Sequence, residues 1–297
     1  MEEMQAARNH VEASSVSPVP SRSKVLSCFM QKFTGHGGVR LACLDEPGER
    51  NVSQAGRREA GENTGQPPIL LIHGFASSHA INWVFPLWVK TLTGDGRRVI
   101  LFDNRGHGRS EKLYDPVSYH IDLMAADALA LLDHLGLERV DVMGYSMGAR
   151  IGAFLTQAHP ERVRSLILGG LGHHLADGAT LPTGIADAME APSVDDLTDP
   201  MQRMFRTFAD ATKSDRRALA ACIRGSRDIL PEDKIGRMRL PVLIAVGTKD
   251  EVAGDPERLA VMFPAARVLA IPGRDHNRAV GDPVYKTGVL DFLGNLE

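Results

Sequence analysis

The chain has 297 residues, with 34 basic against 37 acidic side chains and a formal charge of −3. Hydrophobic content of 43% and charged content of 24% fit an ordinary globular protein with a substantial core. So even a balance, with no Lys/Arg block, excludes long-range attraction to nucleic acid or anionic lipid. No apolar run nears the roughly 20 residues that span a bilayer.

Residues 1–24 are rich in Ser, Pro and charge and lack the apolar centre of a signal peptide. They are expected to form a disordered tail. Cys28, Cys43 and Cys222 are odd in number and widely spaced, without a CxxC pair or a metal-ligand cluster. Reduced thiols in a cytoplasmic protein follow. Two short extended segments, 27–33 and 39–47, flank "TGHGG", whose glycines suit a hairpin loop. Residues 48–68 hold almost nothing apolar and are expected to form a long mobile loop.

From residue 69 the pattern becomes regular. "ILLIHG" (69–74), "RVILFDN" (98–104), "RVDVMGY" (139–145), "RVRSLILGG" (162–170) and "LPVLIAVG" (240–247) are compact runs rich in Val, Ile and Leu. Such runs suit strands buried on both faces of a parallel sheet. Helical spacing separates them, most clearly over 118–136, where Ile121, Met124, Ala128, Leu131 and Leu135 recur at three- and four-residue steps. Further helices are predicted over 147–160 and at the carboxyl end, with another strand at "ARVLAI" (266–271). Strand alternating with helix argues an α/β fold with a mostly parallel, doubly wound sheet. Residues 171–239 break the alternation, being helix-prone without a strand signal. The expected organisation is therefore a core of 25–170 and 240–297 with a helical cap insertion at 171–239.

"GYSMG" places Ser146 between Gly144 and Gly148, after an apolar strand and before a helix. In that context the serine sits on a strained turn at the carboxyl edge of the sheet, where its hydroxyl can act as a nucleophile. It needs a base. His276, in the polar loop "IPGRDHNRAVGDP" before the final helix, can fold over that edge. The imidazole in turn needs an acid. Asp250, just after the 240–247 strand, is the first choice, with Asp255 and Asp275 as alternates. A tetrahedral oxyanion needs two N–H donors, which Met147 and the backbone of Phe75 in "HGFASS" are positioned to supply. His73 reads as a brace for that loop. His173 and His174 read as loop residues, with no acidic partner at metal spacing to support zinc.

"HGFASS", "FDNRGHGRS", "GYSMG", "GTKDEVAG" and "GRDH", in this order, resemble the α/β-hydrolase superfamily over roughly residues 68–297. The resemblance implies a Ser146–Asp250–His276 triad, an oxyanion hole at Phe75 and Met147, and neither cofactor nor metal. It is similar to the serine esterase, lactonase and haloperoxidase-like branch, and implies a small-molecule ester, thioester or lactone as substrate, with no nucleic acid or membrane partner. Trp83, Met201, Met204, Phe205 and Phe208 are expected to line an apolar pocket over Ser146. Two rival expectations share the scaffold: carbon–carbon hydrolysis of a diketone-like acid held by an arginine such as Arg150, and a ligand-sensing protein with little turnover.

Overall fold

The computed structural model describes residues 30–49, 66–178 and 181–296. The expected tail at 1–24, Cys28 and most of the expected loop at 48–68 lie outside these residues. The hairpin is formed by β1 (Gln31–Thr34) and β2 (Arg40–Glu46), paired antiparallel. Gly37 and Gly38 between them take φ of 70° and 82°, a region that favours glycine.

The apolar runs become β3 (Ile69–Ile72), β4 (Val99–Asp103), β5 (Val140–Tyr145), β6 (Val163–Gly169), β7 (Val242–Gly247) and β8 (Ala266–Ile271). These six are mutually parallel, and the sheet runs β1-β2-β4-β3-β5-β6-β7-β8 among the described residues. β3 lies centrally, pairing Ile69 with Val99 on one side and with Asp141 on the other.

Alternation along each strand divides the core in two. Leu70, Ile72, Ile100 and Phe102 face α2 (Ile121–His134) and α3 (Met147–Ala158). Ile69, Leu71, Val99 and Leu101 face Trp88 and Leu92 of α1 (Trp88–Gly94) and Phe292 near the carboxyl end. Burying each such aliphatic side chain contributes about 1.5–3 kcal/mol. Periodicity does not reveal α1, because Pro86 and a left-handed Leu87 (φ 66°) set it off from the π-helical turn Ala80–Val84.

Between β6 and β7 the described residues hold no strand but four helices, α4 (Gly184–Glu190), α5 (Pro200–Ala211), α6 (Arg216–Gly225) and α7 (Glu232–Ile235). Asp199 and Asp215 cap α5 and α6 by accepting the N–H groups of Gln202 and Ala218. The Phe205 ring meets Phe75 at 5.9 Å, and Cys222 Sγ lies 3.7 Å from Met147 Sδ. This segment therefore packs on the carboxyl edge of the sheet, beside the Ser146 turn. Three further helices follow: α8 (Pro256–Ala260), α9 (His276–Ala279) and α10 (Pro283–Gly294).

The loop after β4 is locked to α2 by a buried ion pair. Arg105 Nε and Nη2 donate to the two Asp127 oxygens at 2.7 and 2.8 Å, and Nη1 donates to the Ser118 carbonyl at 2.7 Å. Burial lifts the Asp127 carboxyl above its usual range despite the guanidinium, so desolvation outweighs the attraction. Removing the cation alone is then costly. We expect Arg105→Met to destabilise the fold by about 3–5 kcal/mol, read as a lower urea midpoint. A loss below ~1 kcal/mol would show that the pair does not hold the loop.

Candidate functional site

The turn around Ser146 is set by backbone crowding. Ser146 has φ 54° and ψ −115°, a strained conformation for a residue with a side chain. A Cβ at Gly144 would stand 2.2 Å from the Gly148 oxygen, and one at Gly148 would stand 2.0 Å from the Ile72 oxygen. Only glycines let β5, α3 and β3 approach this closely. The Ser146 N–H donates to the Gly169 carbonyl at 2.7 Å, which ties the turn to β6.

His276 arrives from the start of α9, 130 positions further along the chain. Its Nε2 lies 3.0 Å from Ser146 Oγ, and its Nδ1 lies 2.8 Å from Asp250 Oδ2. A carboxylate only accepts, so Nδ1 carries the proton and Nε2 offers its lone pair to the serine hydroxyl. Asp250 is held by its other oxygen, which accepts the N–H groups of Val252 and Ala253 at 2.9 and 3.0 Å. The Tyr145 hydroxyl donates to the His276 carbonyl at 2.6 Å and fixes the backbone beneath the ring. The two alternate acids are engaged elsewhere. Asp255 caps α8 through Glu257 and Arg258, and Asp275 caps α9 through Asn277 and Arg278.

Phe75 and Met147 both border Ser146 in the same cleft. Among the described residues no hydrogen bond occupies either N–H. Met147 opens α3, so its N–H points out of the helix at the positive end of the dipole. Asn82 was not singled out in the sequence, yet its Oδ1 accepts the Gly74 N–H at 2.8 Å and orients the loop that carries Phe75. No periodicity or motif marks it, since the contact bridges eight residues within an irregular turn.

His73 is a brace. Its Nδ1 donates to the Gly74 carbonyl at 2.8 Å and its Nε2 accepts the Asn104 N–H at 3.0 Å, leaving no nitrogen free for chemistry. Nearby, burial alone would raise the Asp103 carboxyl. Hydrogen bonds from His79 and from the Arg109 N–H outweigh it and hold the group well below the usual range.

Ser146 stands between two cavities. The larger, about 330 Å³, is bordered by His276, Phe75, Met204, Phe205, Phe208 and Pro86, among others. Trp83 and Met201, predicted on its wall, do not line it. Trp83 is fully buried against Trp88 on the other face of the sheet, and Met201 is partly buried against the core. The smaller cavity, about 60 Å³, opens on the α3 side, with Met147, Arg150 and Arg227 in its wall.

One expectation needs correction: His173 does have an acidic neighbour. Asp177, four residues on, lies 3.1 Å from His173 Nε2, and with His174 the three could approach a cation. The His173 Nδ1 accepts the Asp255 N–H at 2.7 Å, which places the ring proton on Nε2, where it donates to Asp177. That nitrogen has no lone pair to offer a metal. Cys43 and Cys222 are buried thiols pushed up to about 11 and about 12, chiefly by burial, and are unreactive at neutral pH.

A mostly parallel sheet, a strained serine at its carboxyl edge and a histidine–carboxylate pair against that serine define a class of α/β protein with hydrolase geometry. The chain matches the family described as "alpha/beta hydrolase fold" over residues 67–188. It is 30% identical over 234 residues to 2-hydroxymuconate semialdehyde hydrolase from Pseudomonas sp., covering 75% of this chain and 69% of that protein. It is 29% identical over 269 residues to the dihydrolipoyllysine-residue acetyltransferase component of the acetoin cleaving system of Pseudomonas putida, covering 85% and 70%. The crystal structure of a hydrolase from Pseudomonas aeruginosa superposes with a TM-score of 0.70 at 23% identity, covering 90% of this chain and 99% of that one. This chain belongs to the α/β-hydrolase fold family.

The buried histidines beside the site predict a pH dependence of stability. Burial, the main cause, lowers His73 to about 4 and His107 to about 3 from the ordinary 6.5. Between these values the unfolded chain binds protons that the folded chain refuses. Stability is therefore fully present above pH 6.5 and is lost as the pH falls toward the folded values. We expect each histidine to cost on the order of 2 kcal/mol between about pH 7 and pH 5. Urea titrations at the two pH values check this, and equal midpoints would contradict it.

Proposed function

We propose that this chain is a serine hydrolase of small carboxylic esters, thioesters or lactones, acting through an acyl-enzyme on Ser146. The observation that carries this reading is the continuous relay from Ser146 Oγ to His276 Nε2 at 3.0 Å and from His276 Nδ1 to Asp250 at 2.8 Å. His276 takes the hydroxyl proton as Ser146 Oγ attacks the substrate carbonyl. Asp250 stabilises the imidazolium that forms. The N–H groups of Phe75 and Met147 receive the oxyanion, and a single such donor is worth about 3 kcal/mol in the transition state. Collapse of the tetrahedral intermediate breaks the bond to the leaving group, which departs with the proton from His276. Water then attacks the acyl-enzyme by the same route and returns Ser146 to its starting state.

In this reading residues 171–239 act as a cap on a core of 25–170 and 240–297, and Met204, Phe205 and Phe208 give the larger cavity its apolar character. The substrate is a small molecule. No helix among the described residues is long and apolar enough to cross a membrane. A cytoplasmic location suits the two buried free thiols.

A second reading is carbon–carbon hydrolysis of a diketone-like acid, in which the same serine attacks a ketone carbonyl. The relative named 2-hydroxymuconate semialdehyde hydrolase supports it, together with the buried Arg150 next to the nucleophile.

Ser146→Ala is expected to abolish turnover of short p-nitrophenyl esters, and labelling by a fluorophosphonate, with an unchanged circular dichroism spectrum. Undiminished turnover by this variant would remove the reading. Wild-type turnover of a diketone-like acid but of no ester would favour the second one.

A further inference from the structure

The smaller cavity differs in kind from the larger. Arg150 reaches its wall from the first turns of α3 and is only 5% exposed. Its guanidinium donates to three carbonyls, those of His174, Leu175 and Asp228, at 2.7, 3.4 and 3.0 Å. Arg227 joins it from the segment after α6, donating to the Leu181 carbonyl at 3.0 Å. Among the described residues neither guanidinium forms an ion pair with a carboxylate.

The two nearest acids are committed to other groups. Asp177 accepts from His173 Nε2, and Asp228 accepts the Ile121 N–H at 2.7 Å and meets His120 at 3.2 Å. Burial lowers the Arg150 pKa only to about 10, so it stays charged at neutral pH. The Asp177 and Asp228 carboxylates partly offset that burial through space, and Arg227 opposes them, so a carboxylate entering the cavity would meet two guanidinium groups that no carboxylate contacts directly.

The position of His276 assigns the two cavities to the two halves of a substrate. The leaving group must receive its proton from His276, and His276 borders the larger cavity and not the smaller. The acyl chain then extends the other way, past Met147 toward Arg150 and Arg227. The smaller cavity, about 60 Å³ against about 330 Å³, suits a short acidic acyl chain rather than a bulky one.

We propose that the smaller cavity binds a carboxylate carried by the acyl group, so that the preferred substrates are hemiesters of short dicarboxylic acids with an apolar alcohol. The proposal rests on the Ser146 acyl-enzyme reading. One bond forms, Ser146 Oγ to the ester carbonyl carbon, and the bond from that carbon to the alkoxy oxygen breaks. The alcohol leaves with the proton from His276, and water releases the free dicarboxylic acid.

The experiment compares monobenzyl succinate with its neutral isostere benzyl 4-methylpentanoate, following benzyl alcohol release by the full-length protein. The expected result is a kcat/KM roughly tenfold or more higher for the hemiester, with the difference mainly in KM. Arg227→Gln should bring the ratio of the two esters toward one. Arg150→Met should do the same, but it also strips three carbonyl contacts, so Arg227→Gln is the decisive variant. A wild-type ratio at or below one, or a ratio that Arg227→Gln leaves unchanged, overturns the proposal. A protein that labels at Ser146 with a fluorophosphonate yet prefers neutral esters overturns the acidic acyl group alone. A protein that neither labels nor cleaves either ester overturns the serine reading and this proposal with it.

Discussion

The close approach of three backbone segments at Ser146 is the constraint on which the site depends. β5 ends and α3 begins within a single residue of left-handed conformation, and the Gly148 backbone lies against the Ile72 carbonyl of β3. Holding a serine there costs about 1–3 kcal/mol of conformational strain, which the buried packing of β3, β5 and β6 offsets. The benefit is positional. The hydroxyl stands clear of the sheet edge, the N–H groups at the start of α3 face the same point, and the loop after β3 is drawn alongside. Any side chain at residue 144 or 148 would push these parts away from one another.

Two clusters of histidine and aspartate lie close together, and their hydrogen bonds separate them by role. In the His73–Asp103–His79 cluster the His73 nitrogens are both spent on neighbouring backbone groups, and Asp103 is saturated by donors. That network holds the loop after β3 against the loop after β4. In the His276–Asp250 pair one nitrogen faces the carboxylate and the other faces a hydroxyl at the mouth of a cavity. The same residue types thus serve rigidity in one place and proton transfer, as proposed, in the other. The distinction lies in whether a lone pair is left where a substrate can arrive.

The helices between β6 and β7 shape the space around the serine without supplying any part of the proposed relay. Phe205 packs on Phe75, Cys222 lies under Met147, and Arg150 reaches back from α3 to the carbonyls of His174, Leu175 and Asp228. The helical segment and the nucleophile turn therefore share contacts, and a change in one alters the volume beside the other. The result is an apolar compartment on the His276 side and a small cationic one on the α3 side. In the proposed reading that asymmetry orients a substrate before chemistry begins.

Strand order aside, the frame was legible from sequence, because strands buried on both faces read as short runs of Val, Ile and Leu. α2 was equally legible from its three- and four-residue spacing. The Ser146 turn was legible too, since its crowding is local and two glycines report it. The hairpin of β1 and β2 was visible from its glycines, whereas α1 was hidden by Pro86 and the aromatic residues around it. Sequence offered three aspartates as partners of His276, with Asp250 first and Asp255 and Asp275 as alternates. Asp255 was already legible as a helix cap before Pro256, and only the folded chain shows that Asp275 also spends its oxygen on a helix N-terminus. The same limit explains Trp83, whose side chain falls on the far face of the sheet, and Asp177, whose nearness to His173 depends on how one short turn closes. Periodicity and glycine spacing encode the local path of the backbone. Contacts across more than a hundred residues depend on how helices lie on a sheet, and that packing alone decided which side chains meet at the serine.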